Sequence, residues 1–205
     1  MEYTHRMKQI VVIGGGDVFP SYDAYLSFLK NFKAENIDYF KETPNWKSSL
    51  QKVLGDEYEV LAPRMPNRSN AKYIEWKIWF EKLFPFLNDE VILVGHSLGA
   101  SFLTKYLSEE RFPKKILATL LVAGPYDSDG ERQMVEFTLP DSLSLLEGQG
   151  GTIFLYHSKD DPVVVFSELA KYQKALPNAK INVFEDRKHF NQVSFPEIVT
   201  DIQNI

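Results

Sequence analysis

Six short runs of apolar, mostly β-branched residues recur along the chain, at positions 9–13 (QIVVI), 58–62 (YEVLA), 91–94 (VILV), 116–123 (ILATLLVA), 152–156 (TIFLY) and 181–184 (INVF). Their apolarity is nearly unbroken rather than alternating, as in strands covered on both faces of a parallel sheet. Between them the apolar residues adopt helical spacing. Tyr25, Phe28, Leu29 and Phe32 recur at i, i+3, i+4 and i+7, and further helices are predicted over 46–54, 71–86, 98–110, 166–176 and 192–202. Strands alternating with helices build right-handed βαβ units. The expected fold is therefore a three-layer α/β/α sandwich on a mostly parallel sheet of about six strands.

Two connections are longer than such units need. Residues 14–57 hold two helices joined by an irregular stretch, and residues 124–150 are polar and mixed, with one short helix near 141–147. The second reads as a short cap-like insertion. Long loops on a rigid sheet are where sites tend to lie. No repeat or linker interrupts the chain, so residues 1–205 read as one domain, with residues 1–6 a flexible leader.

Composition narrows the classes. The chain has 205 residues, 44% hydrophobic and 25% charged, with a formal net charge of −5. This balance argues against nucleic-acid and anionic-membrane partners. There is no cysteine, which removes disulfides, thiolate catalysis and thiolate-bound zinc. The segment before residue 10 has no apolar stretch of the kind a secretory signal needs, and no apolar run approaches bilayer length. The expectation is a cytoplasmic protein; nothing in the sequence names a protein partner.

Chemistry enters at residues 90–100, EVILVGHSLGA. A buried strand runs into Gly95-His96-Ser97-Leu98-Gly99, and a helix follows at once. This is G-x-S-x-G in strand–turn–helix context, the nucleophile elbow. The turn puts Ser97 in a strained conformation and folds so tightly that side chains at 95 and 99 would collide. It also aims the Leu98 N–H and the positive end of the helix at a developing oxyanion. His96 fills a variable position and receives no catalytic role.

A serine needs a base, and four histidines are available. His5 lies in the leader, His96 points away from Ser97, and His157 ends a strand. In elbow-bearing folds the acid and then the histidine follow the serine in chain order, the histidine in a loop after the last strand. Only His189 lies there. The acid falls in the pair Asp160-Asp161. Neighbours in an extended segment face opposite ways, and Pro162 biases Asp161 toward extension, so Asp161 is preferred, with Asp160 bracing the turn. After the first strand, Gly14-Gly15-Gly16-Asp17 does not satisfy G-x-G-x-x-G, because Phe19 and Pro20 follow. Gly15 or Gly16 is instead the second oxyanion donor.

In order, GGGDV, GHSLG, and DDPVV followed by KHF resemble the α/β-hydrolase superfamily, and within it the small serine hydrolases related to retinoblastoma-binding protein 9 and the bacterial YdeN-like proteins. The resemblance spans the chain in organisation and implies a compact fold lacking the first antiparallel strands. It carries the nucleophile to Ser97, the base to His189 and the acid to Asp160 or Asp161. Two departures affect loop shape: His157-Ser158 stand where a glycine is frequent, and Val165 where a proline is.

The expected activity is hydrolysis of a small ester through a Ser97-Asp161-His189 triad and an acyl-enzyme, with no metal or cofactor. Amides and thioesters are further candidates. Phe19, Tyr22 and Tyr126, with Trp46, are candidates to line the acyl pocket. The rival reading is a hydrolase-fold binding protein with weak or no turnover.

Overall fold

A computed structural model describes residues 7–41, 43–127 and 134–205. Six strands form one sheet: β1 (Lys8–Ile13), β2 (Tyr58–Leu61), β3 (Glu90–His96), β4 (Lys115–Val122), β5 (Thr152–Ser158) and β6 (Lys180–Phe184). The order is β2-β1-β3-β4-β5-β6, and every neighbouring pair is parallel. Seven α-helices are described: α1 (Tyr22–Asn31), α2 (Trp46–Leu54), α3 (Tyr73–Glu81), α4 (Leu98–Glu109), α5 (Ser144–Gln149), α6 (Ser167–Ala175) and α7 (Pro196–Gln203).

Each face of the sheet buries one hydrophobic cluster, which explains the unbroken apolarity of the central strands. On one face Trp76 and Phe80 of α3, Phe102 and Tyr106 of α4, Leu146 of α5 and Leu169 of α6 pack against Val11, Leu93 and Leu121. On the other, Trp46 and Leu50 of α2 and Ile198 and Ile202 of α7 pack against Ile10, Ile92 and Leu120. The order places β1 between β2 and β3, so the chain reverses its direction of winding beside β1. In open α/β sheets, ligands bind at the carboxyl ends of the strands that flank such a switch point. Here those ends are Gly14-Gly15-Gly16 and Ser97.

The structure departs from the sequence reading in four places. The α3 helix stops at Glu81 rather than running to 86, because Pro85 has no N–H for the Glu81 carbonyl four residues back and its ring crowds that carbonyl; Phe84–Phe86 form a 3-10 turn. The last helix starts at Pro196, a residue suited to a first helical turn, rather than at 192. The α1 helix buries no residue: Tyr22, Phe28 and Leu29 stay exposed, and Phe28 packs on Phe19 and Phe32. The described part of the expected cap lies against the core instead. Phe137 and Leu146 are fully buried in the α4 face, while the middle of that insertion, 128–133, and the leader 1–6 lie outside the described residues.

Candidate active site

The elbow is built as its glycines require. Ser97 has φ 56° and ψ −126°, a conformation that side-chain-bearing residues seldom adopt. Its N–H donates to the Val122 carbonyl at 2.8 Å, which ties the strained residue to β4. A Cβ on Gly99 would stand 2.2 Å from the Ile13 carbonyl oxygen, and one on Gly95 2.6 Å from Ala100 Cα. Both positions therefore exclude any side chain, and Ala100 lets α4 start close to the sheet.

Gly15 lies directly against the serine. A Cβ there would be 3.0 Å from Ser97 Cβ and 3.3 Å from its Oγ. Gly16 instead faces Arg68, Trp76 and Leu98. Among the described residues no backbone carbonyl outside the regular elements accepts the N–H of Gly15 or Gly16, and Leu98 opens α4, where the first N–H groups have no intrahelical partner.

The acidic pair separates into two jobs. The Asp161 carboxylate is fully buried; it accepts from His189 Nδ1 at 2.9 Å through Oδ2 and 3.1 Å through Oδ1. Its Oδ1 also accepts the N–H groups of Val163 and Val164, at 2.8 and 3.0 Å. Pro162, between Asp161 and the valines, has no N–H, so the two following donors converge on one oxygen. Asp160 stays exposed and points elsewhere: its Oδ1 accepts from the Ser158 hydroxyl at 2.6 Å and from the Lys188 N–H at 2.8 Å. The Ser158 bond is the main cause holding the Asp160 carboxyl below its ordinary value. Asp160 thus braces the loop that carries His189, not only its own turn.

His189 lies between two residues with positive φ, Lys188 (48°) and Phe190 (51°), in a loop held by side chains distant in sequence. The Trp46 indole N–H donates to the Phe190 carbonyl at 2.9 Å. His96 Nε2 lies 2.9 Å from the His189 carbonyl oxygen, and its ring centroid is 5.0 Å from the His189 ring. On its far side His96 Nδ1 meets Lys47 Nζ at 3.2 Å. An ammonium only donates, so Nδ1 accepts, and the ring hydrogen belongs on Nε2, donating to His189. Burial first, then the Lys47 charge, pushes His96 well below the usual imidazole value, so it remains neutral. Burial likewise lowers Lys47 to about 8, with the nearby Arg68 guanidinium adding to the effect.

No hydrogen bond joins the Ser97 hydroxyl to His189 among the described residues. Catalytic hydrogen bonds are commonly long in unliganded sites and tighten with substrate. The structure brings the Ser97 and His189 loops together through the His96–His189 ring contact.

The other sequence candidates occupy different surroundings. Trp46, offered for a pocket, is core. Tyr126 packs on Tyr172 at 5.0 Å, and its N–H donates to Glu168 at 2.7 Å. Phe19 packs on Tyr25, and Tyr22 is 65% exposed. Among the described residues no ring contact or hydrogen bond joins Phe19, Tyr22 or Tyr126 to Ser97 or His189. His157 is buried, with Nε2 2.9 Å from the Val164 carbonyl oxygen, so it holds the Asp161 turn. Two concavities of about 260 and 340 Å³ open at the opposite edge of the sheet, where Thr152 and Lys180 begin their strands. Among the described residues no group of three or more His, Asp or Glu gathers in a metal-binding arrangement.

Comparison with known proteins bears on the family and the fold. A model of the serine hydrolase family matches residues 40–196, a segment containing Ser97, Asp161 and His189. The rat serine hydrolase RBBP9 is 26% identical over 163 residues, covering 78% of this chain and 83% of the relative. Among solved structures, the ydeN gene product of B. subtilis superposes with a TM-score of 0.76 at 20% identity, covering 97% of this chain and 98% of that one. A putative YdeN-like hydrolase from Pectobacterium atrosepticum superposes with a TM-score of 0.66 at 15% identity, covering 97% and 90%. The chain has the α/β-hydrolase fold and belongs to the serine hydrolase family.

Proposed function

We propose that this hydrolase cleaves a small carboxylic ester through an acyl-enzyme formed on Ser97, with His189 as base and Asp161 as its orienting acid. The observation that carries the reading is the buried Asp161 carboxylate bonded to His189 Nδ1, in a site that also presents a strained serine. With Nδ1–H donated to Asp161, the Nε2 lone pair is the one left to take the serine proton. Ser97 Oγ then attacks the ester carbonyl, and the oxyanion takes hydrogen bonds from the N–H groups of Leu98 and Gly15. Of the two glycines, Gly15 is the one we assign as donor, because only there would an added Cβ meet the Ser97 hydroxyl, at 3.3 Å. His189 returns the proton to the departing alcohol. A water deprotonated by the same imidazole frees the acid. Asp161 stabilises the imidazolium without itself becoming protonated.

The test is labelling with a fluorophosphonate and hydrolysis of para-nitrophenyl acetate. Wild type is expected to label stoichiometrically, and Ser97→Ala to lose labelling and at least ~10³-fold in kcat/KM. Equal labelling and turnover in the variant sink the reading.

A further inference from the structure

Two positive side chains touch the residues that border the candidate nucleophile, Lys47 on His96 and Arg68 on Gly15, and among the described residues neither forms an ion pair with a carboxylate. Lys47, half-buried at the start of α2, places Nζ 3.2 Å from His96 Nδ1, next to Ser97 in the chain. Arg68, from the turn after β2, donates Nε–H to the Gly15 carbonyl at 2.9 Å, and its guanidinium reaches 3.8 Å from where a Gly14 Cβ would stand. Gly15 is the glycine at which a Cβ would stand 3.0 Å from Ser97 Cβ.

The two cations are close enough for Arg68 to lower Lys47, and both depress His96. Among the described residues neither Lys47 nor Arg68 forms an ion pair, whereas Lys105 and Lys115 each have one and Arg187 has two. In a chain of net charge −5, two neighbouring cations without a carboxylate partner are a local feature. Lys47 is half-buried, with Nζ 5.0 Å from the centroid of the Trp46 ring, and Arg68 is exposed; an arriving carboxylate would meet both charges without displacing an ion pair.

Resting on the ester-hydrolase reading, we infer that Lys47 and Arg68 form an anion subsite, and that the natural substrate is an ester carrying a free carboxylate near the scissile bond. The carboxylate lies across from Ser97 between the ammonium and the guanidinium, whose remaining N–H groups offer a planar fork for it. Both side chains also hold protein groups, Lys47 the His96 ring and Arg68 the Gly15 carbonyl. Removing either therefore lowers turnover of every ester, and only a comparison of esters isolates the charge.

Two pairs of substrates make that comparison. The para-nitrophenyl monoester of glutaric acid against para-nitrophenyl butyrate places a carboxylate on the acyl arm. Para-acetoxybenzoate against its methyl ester places it on the leaving arm. For at least one pair, the ratio of kcat/KM for the anionic over the neutral ester is expected to fall about tenfold or more in Lys47→Met and Arg68→Gln, chiefly through KM. Lys47→Arg and Arg68→Lys should retain most of the ratio, and raised salt should reduce it in wild type. Unchanged ratios in both pairs overturn the inference, even with Ser97-dependent turnover intact. Should the ester reading itself fail, calorimetric binding of glutaric acid monoanilide still reads the subsite: loss of affinity in Lys47→Met and Arg68→Gln supports it, and equal affinity overturns it.

Discussion

Asp160 and Asp161 are chemically identical neighbours, and their surroundings alone separate them. Asp161 is buried and accepts two backbone N–H groups and the His189 ring, whereas Asp160 is exposed and accepts a hydroxyl and the Lys188 N–H. Asp161→Asn is expected to lower kcat/KM by ~10³–10⁴-fold, because an amide presents a donor to Nδ1 and favours the wrong imidazole tautomer. Asp160→Asn keeps an acceptor for Ser158 and Lys188, so about tenfold or less should be lost. Steady-state kinetics on para-nitrophenyl acetate decide it; comparable losses in the two variants would contradict the separation. Ser97, His189 and the acid pair were legible because each sits in a local pattern of the chain. Alternation along an extended segment favoured Asp161 for a reason the turn at 159–160 supersedes: Pro162 removes a donor and the next two N–H groups gather on Asp161. His96, Trp46, Lys47 and Arg68 were not legible as supports. Their partners lie 93, 144, 49 and 53 residues away, and no spacing rule reaches that far.

At the level of elements, the β3–α4 elbow is where backbone strain is concentrated. Ser97 has its hydroxyl in the site and its φ at 56°, a region where only glycine is at ease. Removing the hydroxyl as Ser97→Ala keeps the strained Cβ, while Ser97→Gly releases it. The glycine variant should therefore unfold at higher denaturant, by roughly 1–2 kcal/mol over the alanine variant, less the entropy glycine adds to the unfolded chain. Equal stability in urea melts would show that the elbow stores no such strain. The elbow was readable because both flanking glycines are imposed by contacts within 2.6 Å of backbone. Helix ends were read less well, since Pro85 and Pro196 set limits that apolar spacing ignores. The α1 spacing found a helix but not its environment: periodicity reports which residues share a face, and a face needs a partner before it is buried.

Across the whole molecule, unbroken apolar runs made the parallel sheet legible, while the order β2-β1-β3 depends on pairings between distant segments. That order puts the glycine loop and Ser97 side by side, and it also draws neutral histidines into the interior around them. His96 and His157 are both buried, and burial is the first cause pushing each below the usual imidazole value. The unfolded chain takes a proton on each near pH 6.5, whereas the folded protein does so only at lower pH. Between those limits the unfolded state binds more protons, so stability is full above about pH 6.5 and is lost as pH falls. Each group contributes at most about 1.4 kcal/mol of lost stability per pH unit over its window. His157 is the better probe, since it holds the Val164 carbonyl rather than the His189 loop. His157→Gln retains a donor for that carbonyl but cannot titrate. Its melting temperature should start at or below the wild-type value at pH 7.5 and decline less steeply down to pH 5, by up to about 2–5 °C per unit. Parallel melting curves for the two proteins across that range would mean that His157 is protonated as readily in the folded state as in the unfolded chain.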